Sequence, residues 1–149
     1  MILIDANILL YAYDSSAQNH RPARAWFEQV MSKPEPVGLS WITILAFLRL
    51  STDRRVFLRP LSINESLKTV SEWLSLPTVH ILSPTDRHFE ILTSLLAAGQ
   101  ASGPLVMDGH LAALAIEHGA VVQTTDRDFT RFPGLRFANP LERAEQAEK

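Results

Sequence analysis

The chain has 149 residues, 46% of them apolar and 20% charged, which suits one domain with a buried core and argues against disorder. It has no cysteine, which excludes disulfides, thiolate zinc sites and cysteine nucleophiles and fits a reducing cytoplasm. The net charge of −2 carries no polyanion-binding signature, and no apolar run approaches the ~20 residues that span a bilayer, so no membrane association is expected.

Met1-Ile2-Leu3-Ile4 reads as a first strand. It meets Asp5 at once without a basic leader, so no secretory signal is expected. A short helix is predicted near Ile8–Tyr13. A longer one runs from about His20 to Ser32, with Pro22 in its first turn and Ala23, Trp26, Phe27, Val30 and Met31 at helical spacing. Residues 36–40 form a second strand, and Ile42, Leu45, Phe47, Leu48 and Leu50 a helix after it. Ser62-Ile63-Asn64-Glu65 is a capping box that opens a helix to about Leu74, stopped by Pro77.

Val79–Leu82 reads as the third strand. Ser83-Pro84-Thr85-Asp86 repeats the capping signature, and Gly99 is placed as a left-handed cap on the helix that follows. Residues 100–104 form a loop, and Asp108 starts a helix ending at His118-Gly119. Residues 120–124 make the fourth strand and 135–137 a short fifth. A single domain over residues 1–140 is expected, with 141–149 a charged tail that frays.

Alternating strands and helices predict an α/β fold, a parallel sheet covered on both faces. Such sheets bind ligands beyond their C-terminal strand ends. Asp5 follows strand one, Asp126 follows strand four, and Asp108 opens the helix leading into strand four. Each has a plain structural explanation as a capping or turn residue, as does Asp128. Together they place four acids on one edge of the sheet. Carboxylates brought together without a counterion raise one another's pKa, so the arrangement implies a bound cation.

Oxygen ligands, with no cysteine and with none of the five histidines paired at i, i+4, favour Mg²⁺ or Mn²⁺ over zinc. Such an ion activates water and stabilises the oxygen leaving phosphorus. Asn7, Thr124 and Thr125 are placed as supporting polar groups. Residues 21–68 hold eight basic side chains against four acidic ones, so Arg49, Arg54 and Arg55 are candidate phosphate contacts. Trp26 and Trp73 lie on apolar helix stripes and are read as core. Trp41, just past strand two, is the candidate base-stacking residue.

Asp5-Ala6-Asn7 after an apolar strand, Asp108-Gly109-His110-Leu111-Ala112-Ala113-Leu114-Ala115 and Thr124-Thr125-Asp126-Arg127-Asp128-Phe129 together resemble a PIN domain. More closely, the chain is similar to the VapC toxins of bacterial toxin–antitoxin pairs, from Met1 to about Pro140. The resemblance implies a three-layer sandwich whose five-stranded parallel sheet runs 3-2-1-4-5. It implies Mg²⁺-dependent endoribonuclease activity on structured RNA such as tRNA or rRNA, as the toxin of a type II toxin–antitoxin system. A homodimer and a cognate VapB-type antitoxin are implied as well.

By position, the resemblance makes Asp5 and Asp108 the principal metal ligands, Asp126 a further ligand or supporting acid, and Asp128 a weaker carry-over. Relatives often carry Ser-x-x-Thr-x-x-Glu after strand two; here Ser40 and Thr43 are followed by Ala46. Asp53, two turns further, faces the same side of the helix but is read as too distant to replace the acid. One negative charge is therefore missing, which leaves the metal count open. It also leaves a catalytically degenerate RNA- or protein-binding module as the alternative. A receiver domain and a dehalogenase-type phosphatase fit poorly. Asp5 stands alone after strand one, Ser83 follows strand three, and position 7 is Asn.

Overall fold

A computed structural model describes residues 1–142; residues 143–149, and with them most of the predicted tail, lie outside the described residues. In chain order the elements are β1 (Ile2–Ile4), α1 (Ala6–Tyr13), α2 (His20–Met31), β2 (Val37–Leu39), α3 (Trp41–Ser51), α4 (Ile63–Ser75), β3 (Val79–Ile81), α5 (His88–Ala98), α6 (Leu105–His118), β4 (Val121–Gln123) and β5 (Phe137–Ala138). A short 3₁₀ turn, Arg127–Arg131, lies between β4 and β5. The sheet is wholly parallel, in the order β3-β2-β1-β4-β5. This is the predicted order, with the reversal between β1 and β4.

The sheet separates two cores. Ile4, Val37 and Leu39 pack with α1 to α4, together with Phe27, Phe47 and Trp73. Leu3 and Val122 face the other way and pack with α5 and α6. The alternation of Leu3 and Ile4 across the sheet is the period-two geometry of a strand buried on both faces. Leu141 is 4% exposed and packs in the first core. Among the described residues no helix is long and apolar enough to cross a membrane.

The capping box forms as read, with Ser62 accepting from the Glu65 amide and the Glu65 carboxylate accepting from the Ser62 amide. Four local expectations are corrected. First, the Ser83–Asp86 signature does not cap α5, which has no side-chain cap. The helix starts at His88, and Glu117 of α6 accepts from both the amide and the hydroxyl of Thr85. A carboxylate from a neighbouring helix outcompetes the local cap. Second, Gly99 is right-handed at φ −82°, and Gln100 takes the positive φ of 49° one residue later. The left-handed glycine that ends a helix is Gly119, at φ 66° after α6. Third, α6 begins at Leu105, so Asp108 lies inside its first turn instead of capping it. Pro104 precedes the helix, where its missing amide costs nothing. Fourth, β5 lies at Phe137–Ala138, shifted toward the C-terminus of the predicted strand.

Candidate active site

The site is assembled at the carboxyl ends of β1 and β4. These strands pair in parallel with Ile4 opposite Gln123, so Asp5 and Thr124 leave the sheet side by side. The Asp5 amide donates to the Gln123 carbonyl at 3.0 Å, extending the pairing one residue further. Asp5 then turns the chain into α1, and its Oδ1 accepts from the Ala6 amide at 2.8 Å. Its other oxygen accepts from the Thr124 hydroxyl at 2.8 Å. Asp5 therefore caps α1 with one oxygen and leaves the other bonded to Thr124 at the strand ends.

Thr124 is 1% exposed and acts as a hub. Its oxygen also accepts from the Asp126 amide at 3.0 Å and from the Asn7 side-chain amide at 3.4 Å. The Asn7 carbonyl in turn accepts from the Thr125 amide at 3.4 Å. Asp126 opens the 3₁₀ turn by accepting from the Asp128 amide at 2.8 Å. These bonds fix the loop after β4 against the start of α1.

Asp108 comes from the other side. It projects from the first turn of α6, where a negative charge suits the helix dipole. Ligand oxygens of Asp108, Asp126 and Asp128 all lie within 4.8 Å of one another. Asp5 is not one of this closest trio, whereas Asp128, ranked last from sequence, is. Burial, then the charges of Asp126, Asp5 and Asp128, push the Asp108 carboxyl up to about 6. Burial likewise raises Asp5, with Asp126 adding to the shift and the bonds from Thr124 and Ala6 opposing it.

Such a cluster is unbalanced on its own. No basic side chain pairs with Asp5, Asp108 or Asp126 among the described residues, and the ion pair of Asp128 with Arg131 is a long one at 4.0 Å. A half-buried, hydrogen-bond-free Asp108 facing two more carboxylates is the donor set that a small hard divalent cation requires. The residues present therefore fit such an ion.

Ala46 stands where the resemblance expected an acid, and it lines a recess of ≈ 110 Å³ together with Asp5, Asp108, Ile42, Thr43 and Met107. Asp53 does not compensate, since its carboxylate receives both the Nε and Nη2 of Arg55, at 3.1 and 2.9 Å. A larger hollow of ≈ 730 Å³ beside Trp26 and Lys33 is lined by no carboxylate or histidine, so the chemistry lies at the acid edge and not there.

The other predicted residues are not brought together with the acids. Arg49, Arg54 and Arg55 border a separate surface trough with Asp53 and Pro60. It lies at the far end of α3, whose 11 residues begin at the strand ends and run ~16 Å away from them. Trp41 is 55% exposed at the first position of α3 but does not line the recess. Trp73 is core, its ring N–H donating to the Tyr13 hydroxyl at 2.9 Å, and Trp26 is half-buried against the same core. His110, inside the Asp108 motif, turns toward α5 and bonds His88 at 2.9 Å.

Sequence reading missed Ile42, Thr43 and Met107. Thr43 appeared there only as a member of a helix motif. The available signal was Met107 beside Asp108, an apolar residue outside the stripe of buried α6 positions.

The chain is similar to known proteins over nearly its whole length. A family model described as PIN domain matches residues 2–135. Ribonuclease VapC37 of Mycobacterium tuberculosis is 40% identical over 94% of this chain and 97% of its own length. Ribonuclease VapC33 of the same species is 37% identical over 95% and 99%. Among solved structures, VapBC2 from Rickettsia felis, bound to a DNA fragment from its promoter, superposes with a TM-score of 0.67. It shares 18% identity over 93% of this chain and 98% of the other.

Proposed function

Because this chain belongs to the PIN domain family, within its VapC ribonucleases, we propose that it is a Mg²⁺-dependent endoribonuclease, the toxin of a type II toxin–antitoxin pair. The observation that carries the reading is the convergence of Asp108, Asp126 and Asp128 within 4.8 Å, at the strand ends that also deliver Asp5. The nuclease domain is assigned to residues 1–140, followed by a charged tail.

In this reading Asp108, Asp126 and Asp128 hold the ion, with Asp5 as a further ligand from the β1 side. Mn²⁺ serves in place of Mg²⁺, since both accept carboxylate oxygens. When bound, the ion supplies Lewis acidity toward water and toward the phosphoryl oxygens. The chain's own residues do the rest. Thr124 holds the Asp5 carboxylate and the Asp126 amide in one register. Asn7 ties α1 to the Thr125 backbone, so the two acid-bearing segments cannot separate. Asp108 enters from α6 on the opposite side, so a phosphodiester reaches the cluster from the open edge of the sheet.

The substrate we assign is structured RNA, tRNA or rRNA, in the cytoplasm. The partners we assign are a second copy of the chain and a VapB-type antitoxin. The solved VapBC assembly that shares this fold supports the choice of antitoxin. Arg49, Arg54 and Arg55 at the far end of α3, and Trp41 at its start, are proposed RNA contacts.

The test is purified protein incubated with total tRNA and with ribosomal RNA, with and without Mg²⁺, followed by mapping of the cut ends. Discrete cuts that need the cation and vanish in Asp108→Asn support the reading. Ala46 favours a second one, a degenerate RNA-binding domain, and RNA binding without any cation-dependent cut selects it.

A further inference from the structure

We propose that the recess beside Asp5 and Asp108, floored by Ala46, receives the nucleoside adjoining the phosphate that is cut. This rests on the ribonuclease reading above. The recess lies between the β1–α1 junction, α3 and α6, with Asp5 and Ala6, three α3 residues, and Met107, Asp108 and Leu111 lining it. Ile42, Thr43 and Ala46 share one face of α3, at i, i+1 and i+4, and Met107 adjoins Asp108 in the first turn of α6. It is therefore continuous with the carboxylates that meet the phosphate.

Size and lining select the occupant. At ≈ 110 Å³ the recess far exceeds the roughly 10–15 Å³ that one water needs. Apart from the carboxylates of Asp5 and Asp108 and the Thr43 hydroxyl, its side-chain walls are hydrocarbon and thioether. No basic side chain borders it, so a phosphate has no reason to enter. What remains of a nucleotide is its uncharged part, with flat apolar faces and a polar edge. Met107 is 50% exposed, and its unbranched thioether adapts to an aromatic ring.

Thr43 supplies the polar contact. Its Oγ1 accepts from the Ser40 hydroxyl at 3.1 Å, and its amide donates to the Ser40 Oγ at 3.2 Å. Thr43 is only 2% exposed and its hydroxyl is paired with that of Ser40, so the two hydroxyls form one fixed polar point in the recess wall. The polar edge of a base entering the recess would meet this point. The small side chain at position 46 keeps the space open, because any longer side chain there would project into it.

Two measurements test this. The chain has three methionines, Met1, Met31 and Met107, so protein labelled with ¹³C at the methionine methyls gives a three-signal spectrum. Titration with the four nucleoside 5′-monophosphates in Mg²⁺ is expected to shift Met107 saturably and to leave Met1 and Met31 in place. Inorganic phosphate is expected to leave all three unchanged. A Met107 signal that does not move, or that moves equally with phosphate alone, overturns the proposal.

The second measurement maps cuts in a randomised RNA. Wild type is expected to show a base preference at one nucleotide flanking the cut. Ala46→Leu, which fills the recess, and Met107→Ala, which strips its exposed wall, are expected to lose that preference, with kcat/KM falling roughly tenfold through KM. Met107→Ala alters an exposed side chain, so it separates recess loss from misfolding. If wild type and both variants cut with one preference, the recess assignment is wrong and the nuclease reading stands. If wild type cuts no RNA, the nuclease reading falls, and the methyl titration alone decides whether nucleotides enter.

Discussion

The Thr124 hydroxyl donates to Asp5 at 2.8 Å across 119 positions of chain, and the same oxygen accepts from the Asp126 amide at 3.0 Å. One buried side chain thus sets the spacing between an acid at the end of β1 and an acid in the loop after β4. Thr124→Val keeps the shape and removes the hydroxyl. The Asp126 amide then loses its acceptor and Asp5 a donor. Expected effects are a loss of about 1–3 kcal/mol in stability and about 10- to 100-fold in cation-dependent cleavage, with Thr124→Ser close to wild type. Melting curves and single-turnover rates check this, and a Val variant as active as wild type removes Thr124 from the positioning role.

Replacing Asp108 or Asp126 with Asn separates stability from function. Each substitution relieves repulsion within the cluster, so the cation-free variants are expected to melt at or above the wild-type temperature. The stabilisation by added Mg²⁺ should vanish, and cleavage should fall on the order of 10²–10³ fold. Cleavage at the wild-type rate in both variants would refute the assignment of the site.

The pH dependence has a definite sign. Asp108 is raised from 3.8 to about 6 in the folded, cation-free chain. A raised carboxyl contributes its stability below the unfolded value, and that contribution is lost as pH rises through the folded value. Cation-free protein is therefore expected to lose stability from about pH 4 to just above pH 6. Mg²⁺ should restore it above that window, where the carboxylate is free of its proton, and do little below it. Thermal shifts across the range, with and without Mg²⁺, test this; a Mg²⁺ effect that is the same at both ends contradicts it.

Glu117 makes a contrasting case away from the site. Its side chain is 1% exposed, pairs with His88 at 2.5 Å and accepts twice from Thr85. Burial pushes its carboxyl up, but the bonds from Thr85 and His88 outweigh that and hold it below its usual value. Its stability is thus present above the unfolded value of 4.5 and is lost as pH falls through the folded one. Glu117→Ala strands the Thr85 amide and is expected to cost about 2–4 kcal/mol while leaving the Mg²⁺ affinity of the acid cluster intact. Denaturant unfolding and Mg²⁺ titration separate the two effects.

The three arginines at the far end of α3 are not equivalent. Arg55 is tied to Asp53, whereas Arg54 forms no ion pair among the described residues. If this surface tracks RNA, Arg54→Ala should reduce the salt slope of binding by about 0.7, one phosphate's worth on a single strand, and Arg55→Ala by less. Filter binding over a series of salt concentrations measures both, and equal slopes in wild type and both variants exclude the trough from the RNA path.

Much of this protein was legible in its residues. Leu3 and Ile4 alternate into two cores, Pro22 and Ser62 start helices and Pro77 follows the end of one, so the parallel α/β sheet follows from local chemistry. Asp5, Asp108 and Asp126 were found because each sits at the end of such an element. The errors are local: near Ser83–Asp86 a distant carboxylate holds Thr85, at Gly99 the left-handed turn falls one residue later, and at Asp108 the helix starts three residues earlier. Glu117, 32 residues from Thr85, is invisible to any local rule.

The sequence alone determined the strands and helices, the strand ends that carry acids, and the alanine at position 46, because these depend on periodicity and on residue identity. Only the tertiary structure decided which carboxylates come within 4.8 Å, since Asp108 and Asp128 lie on separate elements that packing alone brings together. It also decided that the place of the missing acid is a recess walled by Met107 and Thr43, because a cavity is a property of packed elements together and of no one element's sequence.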